Sequence, residues 1–385
     1  MSEKIIPSLD ESREKIDRID REMVRLFCER MQVAADVAEY KRAVGKPVTD
    51  AARERALLSK ISDLAGVEME DYARTLYATL LSVSKAYQHE KLNTASSLAA
   101  KIERAKNETA PLFPARAKVA CQGVEGAYSL KAAEKLFECP DVGFYKTFKD
   151  VFDAIEGGEC RYGVLPIENS TAGSVTQIYD LMSEHRFYIV RSLRLKVDHC
   201  LLAKKGTKTE EIQEVVSHPQ ALSQCAGYLA KMDGVKQTSY ANTAKAAEFV
   251  KDAAHGFAAI ANRECAELYG LDVIAEDIQD NANNYTRFIC ISKTPEIYPG
   301  ADKTSIILTV PHKPGSLSRL LSQIDAMNIN LTKLESRPIP GHDFEFLFYF
   351  DLESPIESPA LLRLLGELES SSEKFRYLGT YREVL

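Results

Sequence analysis

An arginine interrupts the apolar pattern near the start of the chain. From Leu9 to Tyr40, apolar residues recur at helical spacing, and Arg30 occupies one of the positions in that row. A guanidinium there requires a paired anion or a polar cavity, because an isolated buried charge costs several kcal/mol. The pattern therefore predicts either a site for a small anion or a charged residue that fixes the register of a coiled coil.

Other polar residues of the same region favour the anion site. Lys41 follows Arg30 by about three helical turns, roughly 16 Å, and returns to nearly the same face. Glu54 lies beside the apolar positions of a second helix, and Ser84 and Gln88 continue an apolar row on a third. Each alone is typical of a core polar residue that has a partner. Together they predict a site for a small polycarboxylate in an all-helical bundle.

Arg13 does not fit that site if the helix is straight. It precedes Arg30 by roughly 25 Å along the helix axis and lies about a quarter turn off the same face. One helix therefore does not bring both side chains to one small ligand. If Arg13 contributes to the site, we expect it to come from a second chain.

Four polar loops follow short apolar runs in the middle of the chain. Their sequences are GVEGAYS from Gly123, IENSTAGS from Ile167, HPQ from His218 and NNYTRF from Asn283. None matches a P-loop or a dinucleotide-binding fingerprint. Each is typical of a turn when taken alone, but polar loops at the strand ends of one α/β unit form ligand-binding crevices. The sequence therefore predicts a second ligand site in this region.

The composition argues against several classes of function. The chain has 385 residues, 45% of them hydrophobic, and a net charge of −7, which suggests roughly two or three domains and argues against nucleic-acid binding. Its eight cysteines form no CxxC pair, as expected of reduced thiols in a cytoplasmic protein. The first residues are too charged for a signal peptide, and no apolar run is long enough to span a membrane. We expect no metal, no cofactor and no membrane partner.

Three regions differ in their patterns. Residues 1–90 are helical throughout, and residues 91–116 are polar with two prolines near their end, which predicts an inter-domain linker that is partly helical. Residues 117–295 alternate short apolar runs with helical stretches, which predicts an α/β domain with sheets covered on both faces. Residues 302–385 follow the order strand, helix, strand, strand, helix, strand, which predicts a ferredoxin-like α+β domain.

The helical region resembles the all-helical chorismate mutases. The matching stretches are SREKI from Ser12, Glu29-Arg30, the region of Lys41, PVTD from Pro47 with ARER from Ala52, and SKAYQ from Ser84. The resemblance implies an intertwined dimer in which Arg13 enters the partner's pocket. It also implies a set of residues that line the mutase site: Arg13, Arg30, Lys41, Asp50, Arg53, Glu54, Ser84 and Gln88.

These residue types suit the chorismate mutase reaction. Chorismate is a dicarboxylate whose rearrangement to prephenate is pericyclic, so neither a nucleophile nor an obligatory proton transfer is required. Arginines bind the carboxylates in a reactive conformer, and donors near the breaking ether oxygen stabilise the charge that grows in the transition state. We expect Lys41 and Gln88 to be those catalytic donors, and a glutamine donates without having to be protonated.

The loops between residues 117 and 293 resemble those of the prephenate dehydratases in order and spacing. One departure is Cys121, where an aromatic residue usually stands. The resemblance implies a two-lobed domain, built like a periplasmic binding protein, with the active site between the lobes. It also implies a prephenate site formed by Glu168, Asn169, Ser170, Ser217, Gln224, Thr286 and Arg287.

The dehydratase reaction removes CO2 and the ring hydroxyl from prephenate and gives phenylpyruvate. We assign Arg287 to a carboxylate, and the amide and serine side chains to orienting hydrogen bonds. The resemblance indicates Thr286 as the donor to the leaving hydroxyl. An unassisted threonine is a poor acid, so we expect it to work through a hydrogen-bonded partner or as an electrostatic stabiliser. Glu168 is the alternative proton source if desolvation keeps it protonated.

The last domain resembles the ACT-type regulatory domains of these dehydratases. The matching motifs are Pro314-Gly315-Ser316-Leu317 at the first strand-to-helix turn and Glu335-Ser336-Arg337-Pro338 after the second strand. The resemblance implies that two such domains pair and bind phenylalanine at their interface through these motifs. Ser316 stands where alanine is common, a small change with an expected effect on affinity.

The sequence therefore predicts a bifunctional enzyme of phenylalanine biosynthesis that is inhibited by phenylalanine and assembles as a homodimer or a tetramer. Two alternatives remain open. In one, the α/β domain is a silent module that senses an aromatic metabolite, although Thr286 and Arg287 argue against it. In the other, the dehydratase acts on arogenate instead of prephenate.

Overall fold

The computed structural model describes residues 8–46, 48, 50–91, 97–339 and 345–384. Pro47 and Thr49 of the mutase-like motif lie outside the described residues, as do residues 92–96 of the predicted linker. The chain divides into two compact units, Met1–Ser97 with Arg363–Ser371 and Leu98–Leu362 with Ser372–Leu385. The first unit contains the helical region, and the second contains three β-sheets.

The helical region consists of α1 (Leu9–Ala43), α2 (Ala51–Ala65) and α3 (Glu70–Lys91), which confirms the all-helical prediction. Ser8 and Glu11 form a capping box at the start of α1. Asp50 caps α2 by accepting a hydrogen bond from the backbone nitrogen of Arg53 at 3.0 Å. Helices α1 and α2 both pack against α3.

Much of the apolar row of α1 is exposed. Ile16, Leu26, Val33 and Tyr40 keep between 50% and 66% of their surface accessible. The buried residues of α1 are Met31, Ala34 and Ala38. Because an apolar helix face is normally covered by another element, α1 presents a face that the described residues of its own chain leave uncovered.

The second unit begins with α4 and continues through two lobes. The elements of this part are, in chain order, α4 (Ser97–Glu108), β1 (Arg116–Gln122), α5 (Tyr128–Leu136), β2 (Cys139–Tyr145), α6 (Phe148–Glu156), β3 (Tyr162–Asn169), β4 (Gly173–Ser174), α7 (Thr176–Glu184), β5 (Tyr188–Lys196), β6 (Cys200–Ala203), a 3-10 turn (Thr209–Glu211), β7 (Glu214–Ser217), α8 (Pro219–Gln224), α9 (Ala226–Leu229), β8 (Lys236–Ser239), α10 (Thr243–Asp252), β9 (Phe257–Ala261), α11 (Glu264–Tyr269), β10 (Asp272–Ala275) and β11 (Tyr285–Ser292). The C-terminal domain follows with β12 (Lys303–Thr309), α12 (Ser316–Ala326), β13 (Asn330–Pro338), β14 (Phe346–Glu353), α13 (Pro359–Ser371), β15 (Phe375–Tyr381) and β16 (Glu383–Val384).

Each lobe is built around its own sheet. The sheet of the first lobe has the order β16-β5-β11-β3-β1-β2, and β4 pairs with β3. Strand β1 is parallel to β2 and β3, whereas β11 is antiparallel to β3 and β5. The sheet of the second lobe has the order β10-β6-β9-β7-β8. The chain crosses to the second lobe after β5 and returns to the first lobe in β11. The first residues of β11 therefore lie next to the connection between the lobes, and the strand itself lies between β5 and β3 in the first sheet.

The C-terminal domain is an antiparallel sheet of order β13-β14-β12-β15 with two helices, as the ferredoxin-like prediction requires. It shares a core with the first lobe, in which Tyr349 and Leu378 pack with Phe152 and Ile178. Gly379 allows this close approach, because a Cβ at this position would collide with the carbonyl oxygen of Ile189.

One prediction about a connection was wrong. The sequence predicts one final strand in the C-terminal domain. The structure has two: β15 ends at Tyr381, and Glu383–Val384 forms β16, which pairs with β5 of the first lobe. The predicted linker is partly helical: it contains α4, whose residues Leu98 and Ile102 are buried. The apolar residues of α4 recur at helical spacing, and its polar residues face outward.

No helix within the described residues is long and apolar enough to cross a membrane. In the same part of the chain, no group of three or more histidine, cysteine, aspartate or glutamate side chains is arranged to hold a metal ion.

Candidate functional site

A cavity of about 370 Å³ lies between the two lobes, and we call it the interlobe cavity. The first lobe contributes Tyr128, Asn169 and Thr286 to its lining. The second lobe contributes His218 and Gln224 at the two ends of α8, and Asn242 and Thr243 where α10 begins. Its size suits a small organic ligand held by a few convergent polar groups.

Asn169 fixes the hydroxyl of Thr286 at the wall of this cavity. The Oδ1 atom of Asn169 accepts hydrogen bonds from the backbone nitrogens of Thr171 at 3.0 Å and Ala172 at 2.8 Å. Its Nδ2 atom therefore points the other way and donates to Thr286 Oγ1 at 3.0 Å. Because the threonine oxygen accepts this bond, its own proton remains available for a ligand, and the bond polarises that proton.

Gln224 extends the same network across the cavity. Its Nε2 atom lies 3.4 Å from Asn169 Oδ1, and its Oε1 atom accepts from Asn284 Nδ2 at 3.2 Å. Asn284 in turn accepts from Asn169 at 2.8 Å. Three carboxamides from β3, α8 and the loop before β11 thus hold one another, and both lobes contribute to the position of Thr286.

Sequence reasoning missed several members of this wall, among them Asn242, Thr243, His199 and Tyr128. His199 is 2% exposed, and its Nε2 atom lies 3.1 Å from Gln224 Oε1. Burial lowers the pKa of His199, so its imidazole is neutral and donates from Nε2 to Gln224. Tyr128 donates to the backbone oxygen of Asp198 at 2.7 Å. The only signal for His199 was a histidine at the start of the otherwise apolar run HCLLA.

The structure does not bring Glu168 and Arg287 into the interlobe cavity, which corrects the prediction of one site. Side chains alternate along a strand, so Thr286 and Arg287 of β11 point to opposite faces of the sheet, as do Asn169 and Glu168 of β3. Glu168 instead pairs with Lys333 of the C-terminal domain at 2.7 Å. Glu168 is therefore a salt-bridge partner of Lys333 and does not line the interlobe cavity.

Glu168 and Arg287 line a second cavity of about 650 Å³ on the opposite face of the sheet, which we call the rear cavity. Its other lining residues are Ser170, Arg194, Tyr285, Lys303 and Thr332. Ser170 donates to the backbone oxygen of Asn283 at 3.0 Å. The predicted ligand Ser217 lines neither cavity, because it is fully buried and donates to the backbone oxygen of Ile260 at 2.6 Å.

In the helical unit, two buried polar atoms lack a hydrogen-bond partner among the described residues. They are Nη1 of Arg30 and Oε1 of Gln88. Ser84 and Gln88 are both buried on α3, and Gln88 Nε2 lies 3.5 Å from Ser84 Oγ. Buried polar groups are nearly always satisfied in a folded protein, so these two atoms are candidate contacts for a polar ligand.

The other mutase-like side chains contact neighbouring residues of the helical region or are exposed. Lys41 donates to the backbone oxygen of Val48 at 2.5 Å, and Glu54 pairs with Lys85, which was not predicted, at 3.1 Å. Asp50 caps α2, and Arg53 is exposed. The Arg13 side chain is 67% exposed and lies 3.7 Å from Asp10 of its own helix. The structure therefore does not bring Arg13 to the other predicted mutase residues of its own chain.

The two motifs of the C-terminal domain have different surroundings. Pro314 and Gly315 are exposed at the start of α12, where Gly315 has a φ of +77°. Glu335 accepts from Ser174 Oγ at 2.7 Å, and Arg337 donates to both carboxylate oxygens of Asp180 at 3.0 and 2.8 Å. Ser336 and Pro338, which alternate with these residues along the edge strand β13, are exposed. In the other motif, Ser316 and Leu317 are half-buried. Glu335 and Arg337 therefore face the first lobe, and their neighbours face outward.

Three family models match the chain in order. Chorismate mutase type II matches residues 12–89, prephenate dehydratase matches residues 119–296, and the ACT domain matches residues 304–370. Among solved structures, a prephenate dehydratase in complex with L-Phe from Arthrobacter aurescens is 27% identical, with a TM-score of 0.63 over 69% of this chain and 89% of that one.

Curated relatives of two kinds match different shares of the chain. Arogenate dehydratase 2 of Petunia hybrida is 39% identical over 288 residues, which is 69% of this chain and 72% of the relative. The bifunctional chorismate mutase/prephenate dehydratase of Enterobacter agglomerans is 31% identical over 382 residues, which is 96% of this chain and 94% of the relative. Since the second match spans the mutase, dehydratase and ACT regions together, the chain belongs to the family of bifunctional chorismate mutase/prephenate dehydratases.

Proposed function

We propose that this protein converts chorismate to prephenate in its helical domain and prephenate to phenylpyruvate in the interlobe cavity. The observation that supports the second activity best is the Thr286 hydroxyl, which accepts from Asn169 and keeps its proton free at the cavity wall. The domain limits that we propose are 1–90 for the mutase, 117–295 for the dehydratase and 302–385 for the regulatory domain. Eight free cysteines fit a reducing, cytoplasmic location.

The dehydratase reaction requires help for the departing hydroxide more than it requires a strong base. Aromatisation drives the loss of CO2, and the hydroxyl of Thr286 donates to the leaving oxygen. Neutral His199 and the carboxamides of Asn169 and Gln224 hold the donor network without introducing a charge. The first turn of α10, with Asn242 and Thr243, offers a positive dipole end for one substrate carboxylate.

The mutase site that we propose is shared between two copies of the chain. Arg30 and Lys41 supply charged donors, the buried carboxamide of Gln88 supplies its Nε2 atom, and Glu54, Ser84, Asp50 and Arg53 surround them. Arg13 comes from the second copy. The exposed apolar row of α1 supports this arrangement, since an intertwined partner would cover it.

A direct assay tests both activities. Purified protein is given chorismate, and prephenate and phenylpyruvate are followed with time; prephenate and arogenate are then supplied separately. We expect phenylpyruvate from both chorismate and prephenate. The identity to arogenate dehydratases makes arogenate the second candidate substrate, and a faster reaction with arogenate than with prephenate would favour it. Binding of aromatic acids without turnover would instead support a silent sensing module.

The mutase rate is expected to stay nearly constant between about pH 6 and pH 8, because Gln88 donates without titrating. The measurement is the initial rate of chorismate loss across this range, with circular dichroism to confirm folding at each pH. A steep loss of rate in the absence of unfolding would contradict the role of Gln88.

Phenylalanine is expected to inhibit the dehydratase through the C-terminal domain, and Gly315→Ala is expected to relieve that inhibition. A coupling of about 1 to 3 kcal/mol would suffice. At a φ of +77° alanine is strained, and its Cβ would lie 3.0 Å from Arg319 Nη1, so the variant changes the backbone of the turn or the position of the Arg319 side chain. Glu335→Gln should act similarly by weakening the contact with Ser174.

The inhibition test compares dehydratase rates with and without about 1 mM phenylalanine for the wild type and both variants. The matched control is Lys236→Ala, whose side chain pairs with Glu214 in the second lobe at 3.1 Å. A wild-type rate that phenylalanine leaves unchanged would rule out the proposed regulation.

A further inference from the structure

Arg287 is held on the face of the sheet opposite to Thr286 by groups of the C-terminal domain and of β16. Its side chain is 9% exposed. Its Nη1 atom donates to Asp351 Oδ2 at 2.5 Å, its Nη2 atom donates to the Tyr381 hydroxyl at 2.6 Å, and its Nε atom lies at an ion-pair distance of 3.0 Å from Glu383. We call Arg287, Asp351, Tyr381 and Glu383 the Arg287 cluster.

Glu383 connects the cluster to two further strands. Its carboxylate lies 2.7 Å from Arg194 Nε of β5 and 3.0 Å from Lys303 Nζ of β12. Strand β16 also adds to the sheet edge beside β5. One carboxylate thus ties β5, β11 and β12 together. Asp351 has a second partner as well, since it accepts from Ser305 Oγ at 2.5 Å.

The position of Thr286 depends on how β11 is held at this point. The backbone register pairs Thr286 with Asn169 and Arg287 with Glu168, and the ladder to β3 shifts immediately afterwards, between Arg287 and Phe288. A bulge weakens the ladder and changes the direction in which neighbouring side chains point. Side-chain contacts of Arg287 therefore have more influence on the direction of Thr286 here than they would in a regular strand.

We propose that Arg287 is a positioning residue of the dehydratase. Its ion pairs with Asp351 and Glu383 hold β11 so that the Thr286 hydroxyl can donate to the leaving group. This inference rests on the dehydratase activity proposed above. Because Asp351 and Tyr381 belong to the C-terminal domain, the same contact makes the direction of Thr286 sensitive to a movement of that domain.

The test uses Glu383→Gln, which keeps the shape of the side chain and removes the charge that three cations share. We expect the dehydratase kcat to fall about tenfold while KM changes by less than about twofold, because the donor is misplaced and the binding groups are not. The mutase rate of the same protein should be unchanged. Asp351→Asn should act in the same direction.

A second background separates positioning from general stability. If Glu383 acts through Thr286, then Glu383→Gln should cost little further activity in a Thr286→Ala enzyme, since the donor is already absent. A purely structural role would cost the same tenfold, about 1.4 kcal/mol, in both backgrounds. Arg287→Lys should recover part of the kcat that Arg287→Met loses, because it keeps the charge in the cluster.

Arg376→Gln is the matched control. Arg376 of β15 also joins the C-terminal domain to the first lobe, by donating to the backbone oxygen of Ser183 at 3.2 Å, but it does not contact β11. Its kcat should stay within about twofold of the wild type. A wild-type kcat for Glu383→Gln, an equal loss in the Thr286→Ala background or an equal loss for Arg376→Gln would overturn the positioning role. A wild-type enzyme without dehydratase activity would overturn the proposed function itself.

Discussion

Replacing Thr286 with alanine is expected to lower the dehydratase kcat by about 10²- to 10³-fold, the range found when one preorganised donor to a developing charge is removed. The structure supports this expectation because Asn169 donates to the threonine oxygen and leaves the hydroxyl proton for the ligand. The KM for prephenate should change less than kcat, since the interaction forms mainly as hydroxide departs. The measurement is the rate of phenylpyruvate formation from prephenate.

Two variants make the Thr286 experiment specific. Thr286→Ser keeps the hydroxyl and should retain much more activity than Thr286→Ala. Thr238→Ala removes a hydroxyl that donates to Glu214 in the second lobe at 2.6 Å, and its dehydratase rate should remain close to that of the wild type. Mutase activity of every variant reports correct folding of the rest of the chain. Near-normal turnover by Thr286→Ala would refute its role as donor.

The sequence was sufficient to predict the elements and the loops that meet in the interlobe cavity. Polar loops after apolar strands came together as the α/β pattern predicts, and Asn169, Gln224 and Thr286 line one cavity. The strand period also argued against a single site for all seven residues predicted to bind prephenate. Glu168 precedes Asn169 and Arg287 follows Thr286 within one strand each, so the two-residue period already placed them on opposite faces.

Other features depended on contacts that no local pattern encodes. Glu383 looks like part of an ordinary final strand, and its role as a partner of three cations appears only when β16 lies beside β5. His199 is hidden in an apolar run because a neutral, hydrogen-bonded imidazole can be buried as an apolar residue is. The contacts of Lys333 and Asp351 were also unpredictable. Glu168 lies 165 residues from Lys333 in the sequence, and Arg287 lies 64 residues from Asp351, in a different domain.

The mutase site that we propose to be shared between two chains leads to a complementation prediction. Arg13→Ala and Arg30→Ala are each expected to lose about 10²-fold or more of the mutase activity, because each removes a carboxylate-binding guanidinium from every site. If Arg13 of one copy joins Arg30 of the other, a mixed dimer of the two variants has one doubly damaged site and one intact site. Co-expression of both variants in equal amounts should therefore restore about a quarter of the wild-type activity.

The complementation result depends on how the two arginines are distributed between chains. If both came from one chain, every site in every dimer would lack one arginine, and the mixture would be no more active than either variant; that outcome would refute the shared site. Arg25→Ala is the matched control, since Arg25 is an exposed arginine of α1 that pairs with Glu22 and Glu29 of its own helix. It should keep the wild-type mutase rate. Unchanged dehydratase rates in all three variants would show that the loss is confined to the helical domain.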